Sequence, residues 1–106
     1  MEKRKARAEE VLRDLASQYI ARTSNGVSLI TVMSVDVAPN FSRARILVSC
    51  FPPDREQEAL HFLRRQRSDF RDYIKNKGAF PRIPFVEFDI DQGEKHRQRI
   101  DGLTQK

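Results

Sequence analysis

The spacing of apolar residues changes period several times along the chain, and each change marks an element. From residue 2 to about residue 22, Ala8, Val11, Leu12, Leu15, Ala16, Tyr19 and Ile20 recur at three- and four-residue steps with charge between them. That spacing predicts an amphipathic helix with one face for a core. Ser24-Asn25-Gly26 ends it with residues that tolerate left-handed conformations. From Val27 to Val37 the period drops to two: Leu29, Thr31, Met33, Val35 and Val37 alternate with Ile30, Val32, Ser34 and Asp36. This predicts a strand, apolar enough on both sides for its second face to be partly covered. Pro39-Asn40 supplies a turn, after which Ala44, Ile46, Val48 and Cys50 alternate with Arg45, Leu47 and Ser49, so the two strands form an antiparallel hairpin.

Pro52-Pro53 stops the second strand, and Asp54 with Gln57 has the spacing of a capping box for a second helix, whose apolar face is Ala59, Leu60 and Leu63. That helix ends among Arg64, Arg65 and Arg67. The next begins with Ser68 as its N-cap, Asp69 and Asp72 near its start, and Phe70, Tyr73 and Ile74 on its apolar face. The sign of charge flips at Ser68, which predicts two helices meeting at a break. Gly78 closes the second of them. Ile83 to Ile90 predicts a third strand, with Val86, Phe88 and Ile90 on one face and Phe85, Glu87 and Asp89 on the other. Ile100 and Leu103 suggest a last helical turn.

The order is therefore α-β-β-α-α-β, and three strands with helices on one face make a two-layer α+β domain. Residues 1–92 are expected to form this single domain, with 93–106 a short polar tail. Among small domains of this order the type II KH fold is the candidate, in which the paired helices and the adjacent strand form a nucleic-acid groove. The GXXG loop of that fold is absent, because the glycines are Gly26, Gly78, Gly93 and Gly102.

Charge placement sharpens the picture. The net charge is +5, and residues 61–82 alone carry seven Lys/Arg against two Asp/Glu, so the excess lies across the helix break. An anionic partner is favoured. Arg64, Arg67, Arg71 and Lys75 recur at three- and four-residue steps and line one stripe if the two helices are nearly collinear; Lys77 and Arg82 extend it. Arg4 and Arg7 on the first helix and Arg43 and Arg45 on the hairpin are further RNA-contact candidates. Such residues touch phosphates, which supply affinity and position but little sequence readout.

Other chemistry is set aside. Cys50 is the sole cysteine, which excludes an intramolecular disulfide framework, and its apolar neighbours make it a buried thiol. No apolar run is long enough to span a membrane, Glu2, Glu9 and Glu10 argue against a leader peptide, and a cytoplasmic protein is expected. Asp89, Asp91, Glu94 and His96 have metal-ligand chemistry, yet a solvated strand end accounts for them. His61 and His96 lack a serine or cysteine in any recognised catalytic spacing. The tyrosines fit helix core faces better than stacking platforms, and Phe80 and Phe85 are read as packing residues, with contact to a base as the alternative. No catalytic residue, cofactor, metal or small-molecule substrate is expected. A protein-protein adaptor with a basic face and a small metal-dependent ribonuclease are the alternatives.

The chain also resembles a known family. Arg7 with Ala8, Val11, Leu12 and Ala16, the run Thr31 to Ile46, Phe70-Arg71, Pro84 to Asp91 and Arg99-Ile100 are similar, in order, to the motifs of ribosome-binding factor A, a KH-like bacterial family with a helix-kink-helix in place of the GXXG loop. The family's Ala-x-Gly kink falls on Gln66-Arg67-Ser68, and its Asp-Pro-Arg before the first strand is replaced by Ser24-Asn25-Gly26. The resemblance implies a monomeric, non-catalytic assembly factor. It would bind the free 30S small ribosomal subunit late in maturation, contact 16S rRNA near the 5′ terminal helix and decoding region, and support 16S rRNA processing.

Overall fold

The computed structural model describes residues 2–23, 29–78 and 80–93. It contains α1 (Glu2–Thr23), β1 (Leu29–Val37), β2 (Arg43–Phe51), a 3-10 turn (Pro53–Arg55), α2 (Glu56–Arg65), α3 (Arg67–Lys77) and β3 (Phe85–Ile90). The order matches the α-β-β-α-α-β expectation. Ser24-Asn25-Gly26 and Val27, together with the candidate ligands Glu94 and His96, Arg99-Ile100 and the suggested turn at Ile100 and Leu103, lie outside the described residues.

The sheet runs β1-β2-β3, with β1 antiparallel to β2 and β2 parallel to β3. Its helix-covered face is built from Val32 and Val37 of β1, Ala44, Ile46, Val48 and Cys50 of β2, and Val86, Phe88 and Ile90 of β3, all buried. Leu12, Leu15, Ala16 and Ile20 from α1, Leu60 and Leu63 from α2, and Phe70 and Ile74 from α3 close on it. This is the two-layer α+β arrangement of a KH-like domain, with the described helices on one face. Gly78 ends α3 in the left-handed region, φ 65°, with its N–H donating to the Lys75 carbonyl at 3.1 Å, as a C-terminal glycine should.

Three local expectations are corrected. β1 does not keep one alternating phase: its register with β2 slips between Val32 and Ser34, leaving Met33 as an extra, bulged residue. Ile30 and Val32 face inward before the bulge and Val35 and Val37 after it, while Leu29 and Met33 stay 66% and 43% exposed. The two apolar faces read from the sequence are one inward face whose phase changes. Secondly, Asp54 and Gln57 make no capping box. Pro53 leads the chain into a 3-10 turn, and α2 starts at Glu56 without a side-chain cap. Thirdly, Ser68 is not an N-cap: it lies inside α3, and the residue between the helices is Gln66.

Candidate nucleic-acid interface

Gln66 ends one helix and begins the next. Its backbone, at φ −91° and ψ 2°, sits in the bridge region between helix and sheet. Its N–H is shared between the carbonyls of Phe62 (3.2 Å) and Leu63 (3.0 Å), and its own carbonyl accepts the N–H of Phe70 at 2.8 Å. The side chains around it hold that geometry. Arg67 Nε donates to the Arg64 carbonyl at 3.3 Å, satisfying one of the orphan acceptors at the end of α2. From α1, the buried Tyr19 hydroxyl lies 2.6 Å from Asp69 Oδ2 and 3.0 Å from the Gln66 amide. A hydroxyl has one proton. The carboxylate, at the shorter distance, accepts it, and Gln66 Oε1 stays in polar contact with the same hydroxyl. Burial, then the hydrogen bond that the phenol donates to Asp69 and the charge of that carboxylate, push the Tyr19 phenol well above its ordinary range, with Arg22 opposing weakly. The phenol therefore stays a neutral donor.

Arg67, Arg71 and Lys75 follow one another at four-residue steps along α3, so they form a single row that begins at the break. The row faces the connection into β3. Arg67 lies 5.7 Å from the centre of the Phe85 ring, and Arg71 donates to the Ile83 carbonyl at 3.3 Å. Arg64 is exposed in the last turn of α2, just before the break. Among the described residues, the ion pairs fall on Lys5, Arg43, Arg45 and Arg55, and none on Arg64, Arg67, Arg71 or Lys75. Each guanidinium has five N–H donors. Arg67 and Arg71 each commit one to a backbone carbonyl, so their orientation is set while most of their hydrogen-bonding capacity faces solvent.

The other basic residues stand elsewhere. Lys77 lies on the flank of α3 that meets α1, its ammonium 5.1 Å from the Tyr73 ring, while Tyr73 donates to Gln18 at 3.1 Å. Arg43 and Arg45 sit on the open face of the sheet, paired across β2 and β3 with Glu87 and Asp89 respectively. Arg7 and Arg82 share the rim of a separate cavity with Arg4.

Sequence reasoning assigned Phe85 to packing, yet the residue is 49% exposed, with the guanidiniums of Arg67 and Arg43 at 5.7 and 5.9 Å from its ring centre. It is the first residue of β3 and points to the open face. The strand phase alone carried that signal, since Phe85 shares a face with Glu87 and Asp89. The interaction of Tyr19 with Gln66 and Asp69 spans about fifty positions, and no local pattern announces it.

A three-stranded α+β domain with a helix-break-helix beside its parallel edge strand, and no GXXG loop, defines a variant of the KH class. The family model for ribosome-binding factor A matches residues 4–104, and the chain belongs to that family. Ribosome-binding factor A of Xanthomonas axonopodis pv. citri is 24% identical over 95 residues, 89% of this chain and 73% of the relative. That of Natranaerobius thermophilus is also 24% identical, over 97% of this chain and 81% of its own length. The crystal structure of the Thermus thermophilus protein superimposes with a TM-score of 0.73 at 24% identity, over 81% of this chain and 94% of that one. A Thermus thermophilus homology model fitted into a cryo-EM map of a 30S complex with ribosome-binding factor A gives 0.69 at 21% identity, over 79% and 91%.

Proposed function

We propose that this protein is a non-catalytic assembly factor that binds the free small ribosomal subunit and its 16S rRNA late in maturation, and so supports 16S rRNA processing in the cytoplasm as a monomer. Residues 1–92 act as the binding domain. The observation that carries the reading is the row Arg67, Arg71 and Lys75, with Arg64 across the break, left without carboxylate partners among the described residues and beginning, at Arg67, beside the exposed Phe85. Fixed guanidiniums next to an open aromatic face suit a folded RNA, whose phosphates they meet and whose unpaired bases the ring can stack on. Membership of the ribosome-binding factor A family supports the choice of RNA, and a structural neighbour is a model fitted to a 30S complex.

Replacing Arg67, Arg71 and Lys75 with glutamate tests it. The triple variant keeps its circular dichroism spectrum and thermal midpoint and no longer sediments with free small subunits. Undiminished co-sedimentation refutes the assignment, and an association that survives nuclease digestion makes the protein an adaptor instead.

A further inference from the structure

Outside the kinked flank, the start of α1, the hairpin loop and the connection into β3 line an open cavity of about 480 Å³. Ala8, Val11, Phe41, Phe80 and Pro81 give it an apolar floor. Its rim carries three guanidiniums, those of Arg4, Arg7 and Arg82, and among the described residues no carboxylate lines it. None of the three has an ion pair among the described residues. Phe41 occupies the floor with φ at 61°, in the left-handed region that bulky side chains seldom adopt. The loop holds it there: Phe41 N–H donates to the Ala38 carbonyl at 2.8 Å, and Asn40 Oδ1 accepts from the Ser42 N–H at 3.1 Å. Unfavourable backbone conformations of this kind concentrate at functional sites.

The occupant has to combine a flat apolar body with negative charge. An inorganic anion would leave the aromatic floor unused, and an uncharged apolar ligand would leave three cations unanswered. Duplex RNA keeps its bases stacked inside, out of reach of a recess. One unstacked nucleotide meets both demands, with its base against Phe41 and Phe80 and its flanking phosphates on the arginines. The placement fits as well. Arg82 precedes Ile83, whose carbonyl receives Arg71, so a strand following the Arg67–Arg71 row arrives at the cavity rim.

We propose that this cavity binds one unstacked nucleotide of a single-stranded RNA segment, as a second RNA site beside the kinked flank. The test is fluorescence anisotropy with a labelled oligo-uridylate decamer and with an RNA duplex of the same length. Phe80→Leu keeps the apolar lining but removes the aromatic face; Arg82→Gln removes an exposed charge. Each should weaken decamer binding by roughly fivefold or more, in line with the loss of one base-aromatic or phosphate contact, and leave duplex binding within about twofold. Arg67→Gln with Arg71→Gln should weaken both RNAs. Decamer binding at parental strength in both Phe80→Leu and Arg82→Gln, with unchanged denaturation midpoints, overturns the proposal. So does Phe80-dependent binding of an alternating Glu-Leu peptide with no Phe80 effect on the decamer. If Arg67→Gln with Arg71→Gln changes nothing while Phe80→Leu weakens the decamer, the kinked-flank reading fails and the cavity stands.

Discussion

The Tyr19 hydroxyl donates to Asp69 across 2.6 Å and ties the C-terminal end of α1 to the first turn of α3. Its 3.0 Å contact with Gln66 extends the tie to the residue where the helices part. The family pattern places small residues at this kink. Here Gln66 and Ser68 stand in those positions, and the Tyr19 hydroxyl of α1 contacts Gln66 and the neighbouring Asp69. The ring beneath the hydroxyl contacts Phe70 and Tyr73, with centroids 5.1 and 5.4 Å away, so packing and polarity act on the same few atoms.

Tyr19→Phe keeps the ring contacts and deletes the hydroxyl, so it should cost about 1.5–3 kcal/mol, the range for a hydrogen bond to a charged group, toward its lower end because Asp69 is exposed. The cost should depend on pH. The folded-state phenol titrates above its unfolded value near 10, so the protonated native state is favoured fully below that value. As pH rises past 10 the unfolded chain loses this proton first, and the parent loses stability at up to about 1.4 kcal/mol per pH unit. The variant lacks this loss. Urea denaturation of both at pH 8 and pH 11 should show their difference shrinking at the higher pH; equal differences refute the role of Tyr19.

Much of this fold was legible because burial leaves a periodic trace. α1, β2 and β3 present to the core the residues that their spacing nominates, from Leu12 to Ile90. What escaped has no period. A bulge at Met33 moves β1 from one phase to the other in one residue, and alternation over nine positions averages it into two apolar faces. Ser68 and Asp54 are good caps by type, yet the helices begin where Arg67 and Pro53 place them. The candidate site was half legible for the same reason. Four-residue spacing gathers Arg67, Arg71 and Lys75, whereas the carboxylates facing Arg43 and Arg45 come from another strand.

Position on α3 should separate two lysines of identical chemistry. Lys75 continues the row from Arg71, while Lys77 covers the Tyr73 ring on the α1 side. In a salt series of small-subunit binding, Lys75→Gln should reduce the slope of log affinity against log salt by about one, the change expected for a lost phosphate contact, and Lys77→Gln should leave it unaltered. Phe85→Ala offers a third signature. Stacking releases no counterions, so affinity should fall with the slope preserved. Equal slopes for both lysine variants remove the row as the RNA contact.

The open face of the sheet holds basic charge in check. Arg43 and Arg45 are matched by Glu87 and Asp89, the latter pair at 2.9 Å, and all four side chains are substantially exposed. Exposed pairs of this kind contribute about 0–1 kcal/mol, so Glu87→Gln with Asp89→Asn should barely move the denaturation midpoint. It should free two guanidiniums on the open face, that of Arg43 beside Phe85, raising affinity for RNA and steepening its salt dependence. Anisotropy with a short RNA at two salt concentrations checks this, and unchanged affinity in the double variant shows that the pairs do not restrain RNA binding.

Phe41 should reverse the usual ranking of small residues. Its φ of 61° strains any residue with a Cβ, while its half-buried ring packs against the core. Phe41→Ala loses the ring and keeps the strain, which should cost about 2–3 kcal/mol. Phe41→Gly loses the same ring but adopts the left-handed conformation freely, which should recover about 1 kcal/mol relative to alanine. Glycine is normally the more damaging choice in ordered backbone, so urea midpoints with Gly above Ala would mark stored strain at this turn. The opposite order would show that the loop relaxes once the ring is gone, and that the Phe41 side chain itself holds the backbone in that conformation.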